Sequence, residues 1–513
     1  MQHQSMNISA LFFQRAAEQP DVLAIRDGAE TRTYGTFAAE VRATAAYFTQ
    51  LGIQKNDRVL VFVPMGLDLY RVVMALFQIG ATAVFLDEWV GLDRLRLCCK
   101  LADCKAFIAP WKFRWIGFFI PEIRKIPIKP RLQVDLLKQT EALANCGEED
   151  TALITFTTGS TGTPKAARRT HAFLGHQFRV LAAKMASEPG TVVMTTLPIV
   201  LLINFGTGAS SVVARFSPKK AHRLKADVIL KEMATNQVHT LIASPYFVQK
   251  LAESAGNNAV PSLKKVFTGG GPVFPPEAAL FQKAFPAAAI QVVYGSTEAE
   301  PIAGVSVQQL LEKSDLLVLG GLCVGTPDLN IRLEIIEIRE AIVTGNELES
   351  LRLPQGSIGE IIVAGDHVLK SYYNNDAAFQ RNKIIDHQGV IWHRTGDAGF
   401  VGTDGLLYLC GRCNQMIFRN GHWISPFIWE SVFAQSGLVT RGTVLEWEGQ
   451  LIAVVQSKPD TLKVPDANLL AILPEPVDRI IWLEKLPLDP RHHTKIDYDG
   501  LKKQMDRSKN NPG

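Results

Sequence analysis

Apolar runs of strand length alternate with longer amphipathic stretches over most of the first 300 residues. Residues 35–50 space their apolar positions as a helix does, and Arg58-Val59-Leu60-Val61-Phe62-Val63 reads as a buried strand after a turn at Asn56-Asp57. Tyr70 to Ile79 is again helical, and Ala81 to Leu86 is strand-like. Strand-like runs recur at Ala152 to Phe156, Thr191 to Leu197, Val238 to Ala243, Lys265 to Phe267 and Ile290 to Tyr294, with helical stretches between them. This rhythm predicts an α/β fold with mainly parallel sheets in layers. From about Val324 to Val363 the pattern shifts to short β-rich pieces around a Pro354-Gln355-Gly356 turn, which predicts a small β-barrel-like subdomain or an antiparallel sheet.

Length and composition narrow this picture. A chain of 513 residues exceeds a single core and should divide into domains. With 47% hydrophobic and 20% charged residues it has the composition of a globular protein, and a net charge of +4 gives no case for a nucleic-acid partner. The seven cysteines are odd in number and scattered, as in a reducing compartment. Cys410 and Cys413 form a C-x-x-C, but no second pair or histidine cluster accompanies it to suggest zinc. Met1 to Gln14 lacks a signal-peptide pattern, and no apolar run reaches membrane-spanning length, so a cytoplasmic location is expected. The tail from Ser508 to Gly513 reads as disordered. Between Trp111 and Arg131, aromatic and basic residues are interleaved. Two readings stand there: a peripheral contact with an anionic membrane surface, or a core-facing segment with solvated charges.

The stretch richest in chemistry is Thr157-Thr158-Gly159-Ser160-Thr161-Gly162-Thr163-Pro164-Lys165, directly after the strand-like Ala152 to Phe156. Its two glycines let backbone N–H groups approach an anion, its hydroxyls add donors, and Lys165 adds a compact charge for phosphate. It is not a Walker loop, because Pro164 precedes the lysine and Ala166 follows it. Nor is it a nucleophile elbow, because Thr158 occupies the place of the first glycine.

This loop resembles the signature of the adenylate-forming superfamily of acyl-CoA synthetases, luciferases and adenylation domains. Five further stretches follow in that family's order: Thr268-Gly269-Gly270-Gly271-Pro272, Tyr294-Gly295-Ser296-Thr297-Glu298, His393-Arg394-Thr395-Gly396-Asp397, Gly411-Arg412, and Leu486-Pro487-Leu488-Asp489-Pro490 with Lys495 beyond it. The resemblance implies a large N-terminal AMP-binding domain over residues 1–410 and a mobile small α+β C-terminal domain over 411–513 that carries the catalytic lysine. It implies an ATP- and Mg²⁺-dependent ligase that turns a carboxylate into an acyl-adenylate. In that scheme Thr157 to Gly162 and Lys165 grip the β- and γ-phosphates, Glu298 holds Mg²⁺, and Thr297 donates to the α-phosphate. Tyr294 with Gly295 and Ser296, and Gly269 to Pro272, frame adenine; Asp397 and Arg412 hold the ribose. Lys495 bridges the carboxylate and α-phosphate. The hinge falls on Asn414, where the family commonly has Asp or Lys, and Gln415 replaces an acid.

Three places look more specifically like the β-lactone synthetases of bacterial olefin biosynthesis: Leu488 to Ile496 with its Arg491-His492-His493, Leu406 to Arg412, and Val63 to Tyr70. That likeness implies a long-chain 3-hydroxy acid whose hydroxyl closes a four-membered ring and expels AMP. Glu300 stands where those enzymes usually have an apolar residue. The alternatives are a fatty acyl-CoA ligase, which would use CoA, and a ligase loading a carrier protein. Leu201 to Phe205 is either an acyl-pocket lining or a core stretch, and His492 or His493 either assists a proton transfer or faces solvent.

Overall fold

The computed structural model describes residues 7–86, 92–132, 135–158, 164–216, 223–256, 260–458, 465–489 and 495–510. Two sheets carry the large unit. The smaller runs in the order Ala106–Ile108, Arg58–Val61, Thr82–Phe85, Thr151–Thr158, Pro164–Thr170. Its first four strands are parallel, and their apolar runs are near-continuous because both faces are covered. The fifth turns back antiparallel and sets Thr157 opposite Lys165. The helix expected over 35–50 forms as Tyr34–Gln50, with the Thr33 hydroxyl accepting from the Thr36 N–H at its start. The next helix, Leu67–Gln78, begins three residues earlier than its periodicity suggests. Asp27, distant in sequence, accepts the Leu67 N–H and so satisfies that early start.

The larger sheet begins with a hairpin, Leu23–Asp27 with Glu30–Thr33. Strand Leu23–Asp27 then continues in parallel through Ser210–Val213, Val192–Thr195, Thr240–Ala243, Lys265–Gly269 and Ala289–Ser296. At Ala299–Ser306 the direction reverses, and the remaining strands Leu322–Pro327, Leu407–Arg412, Ile391–Val401, Gly359–Ala364 and Arg332–Ile336 are antiparallel. The β-rich stretch from Val324 therefore extends the same sheet as an antiparallel flank. Among the described residues the path ends at Arg332–Ile336. A helix that the β-rich pattern hides, Gly345–Leu351, interrupts it; Glu347 turns back to accept from the Thr344 N–H, a capping-box contact.

After strand Leu407–Arg412 the chain makes one 3₁₀ turn, Cys413–Gln415, and enters a smaller α+β assembly. This contains the hairpin Ile417–Arg419/His422–Ile424, helix Pro426–Ser436, a three-stranded sheet (Arg441–Trp447, Gln450–Gln456, Arg479–Leu483) and helix Tyr498–Asn510. It has cores of its own, around Trp429 and Phe433 on one face of the sheet and Leu486, Leu501 and Met505 on the other. Among the described residues, no helix is long and apolar enough to cross a membrane.

Candidate active site

The point where the large sheet changes from parallel to antiparallel is a two-residue hairpin turn. Ser296 pairs with Ala299, so Thr297 and Glu298 sit at the tip, at the carboxyl end of the parallel strands. Crevices at such switch points are the usual ligand sites of α/β sheets. Glycine is required below the tip: a Cβ on Gly295 would lie 2.9 Å from the Ala299 carbonyl oxygen, and one on Gly269 would lie 2.4 Å from that of Val293. Gly270, at φ +87°, takes a backbone conformation that a side chain resists.

Residues 368–373 lace this turn to the smaller sheet. Ala299 bridges Val368, the Leu369 N–H donates to the Glu298 carbonyl, Ala167 bridges Tyr372, and the Tyr373 N–H donates to the Ala166 carbonyl. Arg169 reaches from the smaller sheet to the Thr297 carbonyl at 2.9 Å. Lys165 and Glu298, far apart in sequence, thereby share one cleft. The Lys165 ammonium donates to Asn382 Oδ1 at 2.6 Å. Burial lowers its pKa, Glu298 opposes the shift, and Arg412 and Arg381 reinforce it.

Sequence reasoning missed three groups here. Tyr372 donates to Glu298 Oε1 at 3.4 Å. Lys383 is 3% exposed, lies 5.5 Å from the Tyr372 ring centre and donates to the Leu369 carbonyl. Burial pushes its amine down to about 7, with Glu298 holding it up and Lys165 pressing it down. Opposite it in the strand pair stands His393, buried and held well below the usual histidine range by desolvation and these lysines. A lysine followed directly by Ile384 and Ile385 is the one hint the sequence offers. The cleft thus gathers cationic groups around one carboxylate, an arrangement that suits a polyanion. The Glu298 carboxylate itself is an oxygen donor suited to a hard divalent cation.

On the next wall, Asp397 faces Arg412 across paired strands, with 3.0 Å between Oδ1 and Nη1. Its Oδ2 accepts the Tyr294 hydroxyl at 2.8 Å. Burial, then the Asp397 charge, raises the Tyr294 pKa well above its ordinary value, so the phenol stays a donor. Arg412 also donates to the Thr395 carbonyl. Beside Asp397, at a bulge in strand Ile391–Val401, lies a buried ion pair, Arg394 with Glu360 at 2.6 Å, and Glu360 accepts the Gly396 N–H. Two hydroxyls nearby, Thr268 Oγ1 and Ser296 Oγ, are buried without a hydrogen-bond partner among the described residues. Orphaned donors on strands that end at the cleft fit a ligand that would satisfy them.

Of the phosphate-loop residues, Gly159, Ser160, Thr161 and Gly162 lie outside the described residues, and Thr157 and Thr158 are placed by strand register alone. Pro272, with Gly271, follows the end of strand Lys265–Gly269. Lys495 belongs to the smaller assembly, where its carbonyl accepts the Asp489 N–H and its neighbour Ile496 bridges Leu488. Asn414 is exposed in the single turn joining the two units. His492 and His493 lie outside the described residues. Leu201 and Phe205 are core: Phe205 packs among Phe12, Phe37 and Tyr70. Burial raises both thiols of the C-x-x-C, that of Cys410 to about 12, and among the described residues no cluster suited to a metal includes them.

The family model for AMP-binding enzymes matches residues 12–373. An olefin beta-lactone synthetase of Stenotrophomonas maltophilia is 30% identical over 96% of this chain and 97% of its own. One from Xanthomonas campestris is 29% identical over 79% and 78%. A putative acyl-CoA ligase of Bacillus subtilis is 27% identical over 81% of each. Among solved structures, an O-succinylbenzoate coenzyme A synthetase from Bacillus subtilis in complex with AMP superposes with a TM-score of 0.78 at 20% identity, covering 96% of this chain and 98% of that one. An ATP-bound MatB from Rhodopseudomonas palustris gives 0.80 at 18%, covering 98% and 99%. These two establish a shared fold.

Proposed function

Since the chain belongs to the AMP-binding enzyme family and is an adenylate-forming ligase, we propose that it activates a long-chain 3-hydroxy fatty acid with ATP and closes it to a β-lactone. The adenylation half is supported by the geometry of the cleft. A carboxylate oxygen attacks the α-phosphorus of ATP, the bond to pyrophosphate breaks, and negative charge moves onto the departing oxygens. Lys165 would meet that growing charge, and electrostatic stabilisation there would lower the barrier. Asp397 presents carboxylate oxygens to the two ribose hydroxyls, with Arg412 and Tyr294 fixing its orientation. Glu298 would hold Mg²⁺, which when bound neutralises phosphate charge. Lys495, carried on the 411–513 unit and brought in by rotation about Asn414, would join the carboxylate and α-phosphate in line.

The lactonising half is carried by one observation, the near-full-length likeness to an olefin beta-lactone synthetase. The substrate's own 3-hydroxyl attacks the acyl carbon, the bond to AMP breaks, and the hydroxyl proton leaves to a base or water. An internal nucleophile is already at high effective concentration, so no second substrate has to be ordered.

The test is pyrophosphate release with ATP and Mg²⁺ over decanoic to octadecanoic acids and their 3-hydroxy forms, with and without CoA. Steady turnover of 3-hydroxy acids without CoA, with a product lighter than the acid by one water, is expected. Turnover that requires CoA would make the enzyme an acyl-CoA ligase. Release confined to one equivalent until a carrier protein is added would make it a carrier-loading ligase. Lys495→Ala should lower pyrophosphate release by at least about a hundredfold while still lactonising a preformed 3-hydroxyacyl-adenylate. Loss of both halves would remove the division of labour proposed for it.

A further inference from the structure

Residues 111–131 carry an outer face that neither the cleft nor the core uses. The segment follows strand Ala106–Ile108, at the edge of the smaller sheet. It is fixed from beneath. The Phe113 ring meets that of Phe62 at 5.7 Å, Ile120 and Ile123 are 1% and 2% exposed, and Arg114 donates to the Lys129 carbonyl at 2.6 Å. The segment has therefore spent its inward-facing apolar residues, and what remains outside is not waiting to pack.

Outside are three large aromatics at four-residue intervals. Trp111, Trp115 and Phe119 are 78%, 56% and 71% exposed, and the last two stack edge to face at 5.7 Å. Single exposed aromatics are common, but three within nine residues of an anchored segment, two of them in contact, are a concentration that calls for a partner. The charge around them is one-signed. Residues 111–131 hold six lysines and arginines and a single acid, Glu122, for a net +5 against +4 for the entire chain. Every other part of the chain together is therefore slightly acidic. Lys112, Arg124 and Lys125 are exposed, and the Lys112 ammonium lies 5.8 Å from the Trp111 ring centre.

We infer that this face docks the protein on a bilayer surface bearing anionic headgroups. Trp111, Trp115 and Phe119 enter the headgroup region, and the flanking cations meet lipid phosphate. A bilayer receives protruding rings anywhere on its surface, whereas a folded partner must supply a fitted pocket for each. Aromatic side chains settle at the polar–apolar boundary and basic ones at anionic lipid, and each supplies what the other lacks for reversible attachment. The strand that feeds this segment runs parallel to the one that leads into Thr157 and Thr158, so both leave the same end of the sheet. Their separation is three strand spacings, about 14 Å. A docked protein would hold its phosphate cleft close to the membrane plane, whichever acid it activates.

The experiment is sedimentation of the full chain with extruded vesicles of phosphatidylcholine alone and of phosphatidylcholine with one-third phosphatidylglycerol, at low salt and in 0.5 M salt. Binding to the anionic vesicles that falls by at least about tenfold in salt is expected. Trp111→Ala/Trp115→Ala/Phe119→Ala and Lys112→Ala/Arg124→Ala/Lys125→Ala should each weaken it by about tenfold or more, with thermal unfolding unchanged because none of the six is core. No binding by the wild-type chain overturns the inference, as does binding that both variants retain. Self-association that the aromatic variant abolishes, without vesicle binding, would instead make the face a contact between copies. None of these outcomes depends on the product of the enzymatic assay, so the two proposals fail separately.

Discussion

Asp397 holds two partners that a ribose would have to share. Its oxygens accept the Tyr294 hydroxyl and face the Arg412 guanidinium, and both contacts come from strands flanking the cleft. A carboxylate braced this way keeps one orientation, which is what recognition of two vicinal hydroxyls requires. Asp397→Asn retains shape and loses charge. If the carboxylate binds ribose, kcat/KM for ATP in pyrophosphate exchange should fall by about a hundredfold, since each hydrogen bond to a charged group contributes roughly 1.5–3 kcal/mol. Unchanged ATP dependence would reduce Asp397 to a brace between strands. Tyr294→Phe leaves the charge and removes one donor to it, so it should cost about 1.5–3 kcal/mol in urea unfolding. Tyr372 and Lys383 show why part of the site is not legible residue by residue. Tyr372 reaches Glu298 only because residues 368–373 lace two sheets together. Lys383 is buried only because its strand pairs inward against His393. Tyr372 does not differ locally from an ordinary surface residue, and Lys383 does so only in the two isoleucines that follow it.

At the level of elements, the bulge at Thr395-Gly396-Asp397 within strand Ile391–Val401 depends on a neighbour it does not touch in sequence. Glu360, on strand Gly359–Ala364, accepts the Gly396 N–H and is held by Arg394, which also donates to the Ala341 and Arg339 carbonyls. Burial raises the Glu360 pKa, with Arg394 opposing. Removing one partner of a buried pair leaves a desolvated charge, so Arg394→Met should destabilise the fold by about 3–5 kcal/mol. Glu360→Gln/Arg394→Met should recover most of that loss. A double-variant loss equal to the sum of the two single losses, measured by denaturant unfolding, would show that the two side chains act independently. The motif was legible because Gly396, at φ +69°, is dictated locally, whereas its support comes from strand register. The same division explains the fold. Parallel strands declare themselves as apolar runs, but the early start of helix Leu67–Gln78 and the short helix Gly345–Leu351 rest on an acceptor 40 residues away and on a capping contact within a β-rich stretch.

Across the whole molecule, the smaller assembly meets the larger one through helix Pro426–Ser436. Phe427 lies 5.8 Å from Phe274, and helix Pro275–Ala284 packs alongside. Glu430, on that helix, is where the two units meet electrostatically. Tyr498 and Thr443 donate to its Oε1 at 2.9 and 3.2 Å, Arg441 stabilises its charge, and Glu277 of the larger unit opposes it. Burial dominates and pushes its pKa up to about 7. The folded protein therefore keeps a proton that the unfolded chain releases near 4.5, so the stability this group contributes is full below that pH and is lost as pH rises toward 7. The full decline is no more than about 3 kcal/mol, at 1.4 kcal/mol per pH unit. Glu430→Gln removes the titration and keeps an acceptor for Tyr498. The variant should match wild type near pH 4.5 and unfold at a higher temperature at pH 8, with the gap opening between those values. A gap that is the same at both pH values would locate the effect in packing and not in charge. Because Glu277 contributes from across the junction, Glu277→Gln should narrow the gap, and it could do so only if the two units are seated together in solution as they are here.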